Sequence, residues 1–325
     1  MITENSLEII ELNDSTEYDK IINSYHCFNK AEFSYINRNK TDHIVYLIFK
    51  DKKKTRGGIV GGIKNNTFYF PFSAPFGGFS YNNNDIKIQQ IENMVMLLEK
   101  WCRSNGIENI FITLPPEIYD TTFISKTINT CYRNDYILEN IELNYYFDTK
   151  NIQNQDNYLE IIPYSARKSL KRSLRENLLF IQAKTLDETK EAYDIIKINR
   201  TAKGYPLRMD FEDIISTNKI IKKDFFIVKK EMTSIGAAVV YHITNTIVQV
   251  VYWGDIPTYS KYRVINFLSY KLFEYYRNIG IKYVDVGPST ENSIPNYGLC
   301  EFKENIGCDV VPKYIFKKIL NKDEL

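Results

Sequence analysis

Three histidines and five cysteines in 325 residues leave little material for a metal centre. His26, His43 and His242 stand alone, with no HxxxH or carboxylate spacing of the kind zinc requires. Cys27, Cys102, Cys131, Cys300 and Cys308 form no CxxC pair and are odd in number, so they read as reduced, mostly buried thiols. No Gly-x-Gly-x-x-Gly and no P-loop occurs, which removes the usual motifs for hydride transfer and nucleotide hydrolysis. No apolar run approaches the roughly 18 residues that cross a bilayer. The opening MITENSLEIIELND is acidic where a signal peptide needs a basic region followed by an apolar one, so the expected location is the cytoplasm. Charge of one sign is also lacking: 42 Lys and Arg against 40 Asp and Glu leave a net +2, which gives no overall attraction to DNA. Any basic binding surface must be local. The final Lys322–Leu325 spells KDEL, a signal read only in the secretory lumen, and in a chain without an entry signal it reads as coincidence.

What is present suits a folded protein of about two domains, with 44% hydrophobic and 25% charged residues. The halves resemble each other. CRSNGIENIFI at 102–112 matches YRNIGIKYVDV at 276–286, pairing Arg103 with Arg277, Gly106 with Gly280 and Ile107 with Ile281. Each segment follows an amphipathic stretch. Ile91, Val95, Leu98 and Trp101 recur at helical spacing in the first, and Ile265, Leu268, Leu272 and Tyr275 in the second. Upstream, Val45–Phe49 and Phe225–Val228 read as strands. GGIVGG (57–62) then corresponds to GAAVVY (236–241), and NNTFYF (65–70) to TNTIVQV (244–250). A register shift of a few residues assigns the loop around SAPFGGF (73–79) to an elaboration of the first copy. The polar stretch DTKNIQNQDNY (148–158) marks the joint, and a basic amphipathic helix is predicted over 163–177 with Ser165 as its N-cap.

Strand, hairpin, long helix and strand in this order resemble the GNAT acyltransferase fold, and two copies in a chain of this length resemble its FemAB-like branch. The sharpest match is VDVGPSTENSIPNYGLCEFKENIG (284–307), similar to that branch's Asp-x-Gly-x-Ser, variable loop, Gly, Phe-Lys and closing Gly. These are Asp285, Gly287, Ser289, Gly298, Phe302, Lys303 and Gly307. The resemblance implies an α/β (α+β) fold of two tandem GNAT-like domains, each a twisted mixed β-sheet flanked by helices. They are expected at 1–150 and 151–325, with the active-site cleft in the second.

Acyl transfer to an amine needs a deprotonated nucleophile, stabilisation of the tetrahedral intermediate, and a proton for the leaving group. Lys303 is the candidate for charge stabilisation, expected at a strand-to-helix junction where replacement by Met leaves stability almost unchanged. Asp285, expected at a strand's end, is the candidate to orient the amine or accept its proton. Ser289 and Tyr297 are candidate hydrogen-bond donors to the acceptor, beside Phe302. Arg167, Lys168 and Arg172 on the basic helix, with Arg200 and Tyr205 downstream, suit phosphates of coenzyme A, a nucleotide sugar or tRNA. No bound cofactor and no metal are expected, since the acyl-CoA or aminoacyl-tRNA donor is itself a substrate.

The residues before the second long helix, DIPTYSKYR (255–263), contain no glycine, where acetyl-CoA enzymes of the GNAT type hold the pyrophosphate on a glycine-rich turn. Three readings therefore stand. The first is an N-acyltransferase with an acyl-thioester donor, acting on an amino group of a cell-envelope or polysaccharide precursor. The second is a FemAB-type aminoacyl-tRNA-dependent transferase that extends a peptidoglycan stem peptide. The third is a degenerate GNAT pair that binds a partner without catalysis.

Overall fold

The computed structural model describes residues 7–52, 54–82 and 85–320, so the KDEL tetrapeptide and the first six residues of the acidic opening lie outside the described residues. The first copy runs β1 (Glu8–Leu12), α1 (Ser15–Ile21), α2 (Ala31–Ile36), β2 (His43–Lys50), β3 (Thr55–Lys64) and β4 (Thr67–Phe70). It continues with the short β5 (Ser80–Tyr81), α3 (Ile88–Ser104), β6 (Asn109–Thr113), α4 (Thr121–Arg133) and β7 (Ile137–Asp148). The second copy begins with α5 (Gln155–Ile161), α6 (Tyr164–Leu174), β8 (Leu178–Gln182), α7 (Leu186–Ala202) and α8 (Phe211–Ser216). Then come β9 (Lys223–Lys230), β10 (Thr233–His242), β11 (Ile247–Asp255), α9 (Val264–Asn278) and β12 (Tyr283–Pro288). A small hairpin of β13 (Thr290–Glu291) and β14 (Ile294–Pro295), then α10 (Tyr297–Asn305) and β15 (Asp309–Ile319), close the chain. No helix among the described residues is long and apolar enough to cross a membrane.

Burial explains the two long helices. In α3, Ile91, Val95, Leu98 and Cys102 are all fully buried on one face; in α9 the inward face is Val264, Phe267, Leu268, Leu272 and Tyr276. Full burial of one such aliphatic or aromatic side chain is worth about 1.5–3 kcal/mol, so tertiary packing rather than intrinsic propensity holds these helices. Both end alike. Gly106 (φ 71°) and Gly280 (φ 81°) take the left-handed conformation. The next amides, of Ile107 and Ile281, reach back to the carbonyls of Cys102 and Tyr276 at 2.9 Å each. A side chain with a Cβ is disfavoured at such a turn, which is why the matched glycines were visible as punctuation.

The repeat is borne out strand by strand. β2 pairs β3 antiparallel, β3 pairs β4 antiparallel, and β4 pairs β6 parallel. In the second copy β9, β10, β11 and β12 pair in the same order and sense. β1 adds antiparallel to β2 as β8 does to β9. The extra residues of the first copy sit where expected, at 71–87 between β4 and α3, against 256–263 between β11 and α9.

Two sequence expectations need correction. The chain divides into a unit of residues 1–142 plus 312–325 and a unit of 143–311, rather than at 150. The last strand of each copy causes this. Asn144–Asp148 of β7 pair with β12 in the second unit, while Ile315–Ile319 of β15 pair with β6 in the first. The copies have exchanged terminal strands, and the polar stretch at 148–158 follows the exchange instead of marking it. The basic helix also starts differently. Its N-cap is Pro163, whose carbonyl accepts from Arg167 N at 2.9 Å, and Ser165 lies inside the first turn.

Candidate functional site

The second unit contains a fork in its sheet. β11 and β12 pair in parallel through Ile247–Tyr283, Val248–Val284 and Gln249–Asp285 only. Beyond that point β11 stays with β10 as far as Asp255, and β12 follows β7 as far as Pro288, so the two strands part. A bulge assists the parting. Val251 is an extra residue between the Val240–Val250 and Val239–Tyr252 pairs, and it bends β11 where the fork opens. In the first unit, by contrast, β4 remains paired to β6 over its whole length, from Thr67–Asn109 to Phe70–Ile112.

Asp285 sits at the apex of the fork, fully buried. It is the third residue of β12, not its end. Its Oδ1 accepts from Asn144 Nδ2 and from Gly287 N, both at 2.8 Å, and its Oδ2 from Gln249 Nε2 at 2.9 Å. Donors from β7, β11 and β12 therefore converge on one carboxylate. With both oxygens engaged by protein, Asp285 is a brace that holds the three strands at the point of divergence. Gln249 was legible as the one polar residue in the apolar run Ile247–Trp253. Asn144, from the exchanged strand, carried no such signal.

Lys303 lies in the last turn of α10, not at a strand-to-helix junction. It is 2% exposed, which rules out a solvated surface lysine. Its Nζ donates to the carbonyls of Gly287 at 2.8 Å and Pro288 at 3.0 Å, at the end of β12 that has left β11, and lies 5.4 Å from the centre of the Tyr145 ring. Burial lowers the pKa of this amine to about 8, partly opposed by Asp285 and the thiols of Cys300 and Cys308. An ammonium has three N–H donors, and two are committed. This burial argues against the expectation that Lys303→Met leaves stability unchanged, because that change strips two carbonyls of their donor.

Aromatic groups link the arms of the fork. Trp253, on β11 past the bulge, meets Phe302 of α10 edge-to-face at 5.9 Å. Tyr145 Oη donates to Glu304 Oε1 at 2.8 Å. Ser289 follows directly on the Gly287–Pro288 pair that holds Lys303 and is 3% exposed, whereas Tyr297 is 79% exposed at the start of α10. Thus Asp285, Ser289, Phe302 and Lys303 come together around one strand end, and Tyr297 stands outside it.

Arg200 and Tyr205 form a second group. The Arg200 guanidinium lies over the Tyr252 ring at 5.1 Å and 5.9 Å from the centre of Tyr205, and its Nε donates to Pro206 O at 2.9 Å. Arg208 of the same loop approaches Glu291 at 3.8 Å, which brings the 203–210 loop to the β13–β14 hairpin beyond Ser289. Next to this loop a cavity of about 350 Å³ opens at the start of α9, lined by Asn199, Lys203, Asp255, Ser260, Arg263 and Asn266. Asn199 Nδ2 bonds both the carbonyl of Asp255 (2.6 Å) and its Oδ1 (3.0 Å), and burial raises the Asp255 pKa above its ordinary value. In place of a glycine, Arg263 takes the left-handed conformation at the N-cap of α9.

The basic helix divides. Arg167 turns back onto the chain before it, its Nη2 donating to Ile162 O at 3.2 Å and Glu160 O at 3.4 Å. Lys168 and Arg172 are exposed and make no ion pair among the described residues. Among the described residues no hydrogen bond or ion pair joins them to the fork. All five cysteines are free and buried, Cys300 and Cys308 among them.

Two copies of one strand–hairpin–helix–strand unit in a single chain are an arrangement also found among solved structures. FemX superposes over 97% of this chain and 98% of its own length with a TM-score of 0.70 at 11% identity. This chain shares the fold of FemX. The fold is a tandem GNAT fold. L-PGS from Bacillus licheniformis matches over 98% of this chain and 95% of its own (TM-score 0.59, 12% identity). A tandem GNAT protein from the clavulanic acid biosynthesis pathway, solved without AcCoA, matches over 97% and 99% (TM-score 0.52, 7% identity). No family model and no curated sequence matches the chain. The FemAB-like resemblance read from residues 284–307 and the tandem GNAT fold therefore agree on architecture.

Proposed function

We propose that this chain is an N-acyltransferase that moves an acyl or aminoacyl group from an ester or thioester donor to an amino group of a cell-envelope or polysaccharide precursor. One observation carries this reading: a buried ammonium with one uncommitted N–H stands at the open end of the β11–β12 fork. An extended donor arm laid between the parted strands finds main-chain partners there and places its carbonyl towards Lys303. The acceptor amine attacks that carbonyl, an N–C bond forms, and the carbonyl electron pair moves onto oxygen. Lys303 Nζ meets the oxyanion with a charge-assisted hydrogen bond, and such fixed donors lower barriers by about 2–4 kcal/mol. Collapse breaks the C–S or C–O bond, and the leaving group takes the proton that the amine gives up. A lysine with pKa about 8 is mostly charged at pH 7, as this role requires.

The donor decides between the two catalytic readings. The α9 cavity offers Lys203, Arg263 and a helix start to a phosphate, but the buried Asp255 opposes a diphosphate at close range. That observation favours an aminoacyl ester carried on tRNA over coenzyme A. Lys168, Lys171, Arg172 and Arg175, exposed and without an ion pair among the described residues, suit a polyanion whose affinity falls steeply with salt. A thermal-shift panel of acetyl-CoA, longer acyl-CoAs, charged tRNA and nucleotide sugars tests this, because a ligand that binds only the native state raises the melting temperature. A shift with charged tRNA and none with any acyl-CoA supports the tRNA-dependent form, and the reverse supports the thioester form. A panel with no shift and no transfer to any amine favours the non-catalytic binding module.

A further inference from the structure

Ser289 holds a hydroxyl that the fold does not use. The residue is 3% exposed and its Oγ has no hydrogen-bond partner among the described residues. Its backbone, by contrast, is held from three directions. Ser289 N donates to Leu143 O at 2.9 Å, and its carbonyl accepts from Asn296 N at 2.9 Å and from the Cys300 thiol at 3.7 Å. The side chain thus has a fixed base and an unsatisfied tip. Its position matters, because the two residues before it supply the carbonyls that fix Lys303 Nζ. There is also room. Gly287 is buried, yet a Cβ built on it meets no atom within 4 Å outside its chain neighbours. Folded proteins pair almost all buried hydroxyls with protein or water, so a buried hydroxyl without a protein partner, on the residue that follows the two carbonyls holding Lys303, is available to a ligand.

We propose that Ser289 is a further catalytic residue, whose Oγ–H donates to the same oxyanion as Lys303 Nζ. The inference rests on the acyltransferase reading above. As the amine nitrogen bonds to the acyl carbon, the carbonyl oxygen gains the electron pair and accepts from both groups. Ser289 keeps its proton throughout, and the amine's proton leaves with the expelled thiolate or alkoxide.

The test compares wild type, Ser289→Ala and Ser289→Thr for turnover of the donor found by the thermal-shift panel, with melting temperature measured in parallel. Loss of an oxyanion donor should lower kcat roughly 100-fold in Ser289→Ala with KM little changed. Because the hydroxyl has no partner in the folded protein, the melting temperature of Ser289→Ala should stay level or rise, which a structural serine would not allow. Ser289→Thr keeps the hydroxyl and should recover part of kcat. Combining Ser289→Ala with Lys303→Met should cost less than the product of the two single effects, as for groups acting on one atom. Equal kcat in wild type and Ser289→Ala, or a kcat loss accompanied by a fall in melting temperature, overturns the inference alone. No turnover by wild type with any donor overturns the acyltransferase reading and this inference with it.

Discussion

Lys303 shows how much one side chain depends on its surroundings. Its folded pKa of about 8 lies below the ordinary 10.5, so between these values the unfolded chain binds more protons than the native one. For this group alone, native stability therefore rises as pH climbs from about 8 to 10.5, while turnover that needs the ammonium falls through about 8. Lys303→Met should abolish the first trend, cut turnover at least roughly 100-fold, and cost about 1–3 kcal/mol through the carbonyls left without a donor. Denaturant titrations at pH 7 and pH 10, with a pH–rate profile, check all three. His26, in the first unit, follows the same rule at lower pH. It is 2% exposed among Tyr25, Phe28, Phe76 and Tyr119, neither ring nitrogen has a hydrogen-bond partner among the described residues, and burial lowers its pKa to about 3. Above pH 6.5 both states are neutral and nothing is lost. As pH falls from 6.5 towards 3 only the unfolded chain takes the proton, and stability drops by about 1.4 kcal/mol per pH unit. His26→Phe should flatten that acid limb in melts recorded from pH 7 to pH 4. The sequence named Lys303 and Ser289 through a motif, but burial gives each its chemical character, and burial is a property of neighbours distant in the chain.

At the scale of elements, strands and long helices were readable because their periodicities differ and matched glycines punctuate them. The fork was not. It is accompanied by one inserted residue, Val251, inside a run that is apolar with or without it. Because side chains alternate along a strand, that insertion sets which way Tyr252 and Trp253 face. Deleting Val251 should restore regular pairing with β10, turn Tyr252 away from Arg200 and Trp253 away from Phe302, and close the fork. The expected outcome is a folded protein by far-UV circular dichroism that no longer gains melting temperature from its donor. The basic helix divides between Arg167, turned back onto the preceding chain, and the exposed Lys168 and Arg172. Replacing both Lys168 and Arg172 with Ala should weaken an anionic donor most at low salt, with affinities converging as salt screens the exposed charges. Arg167, committed to the carbonyls of residues 160 and 162, should act mainly on stability instead.

For the whole molecule the decisive feature is the exchange of terminal strands. A cut at the polar stretch near 150 separates the two sequence copies yet leaves each unit missing a strand. The fragment 151–325 lacks β7, and with it Asn144, one of the donors that brace Asp285. The fragment 1–150 lacks β15, the partner of β6. Each fragment alone should be poorly soluble, since an unpaired edge templates association, while the two expressed together should co-purify and melt as one species. Separate, soluble, cooperatively folded fragments would show that the exchange is dispensable. The sequence by itself determined the repeated strand–helix order, the apolar faces that bury α3 and α9, and the location of the sharp motif at 284–307. Those are local patterns, set by spacings of two to four residues and by glycines that tolerate left-handed turns. Only the tertiary structure decided where the units divide, that Asp285 is an internal brace, and that Lys303 is a buried ammonium with Ser289 unpaired beside its anchors. Strand partners and burial depend on residues more than a hundred positions apart, such as Asn144 and Asp285, and no local spacing encodes such a pairing.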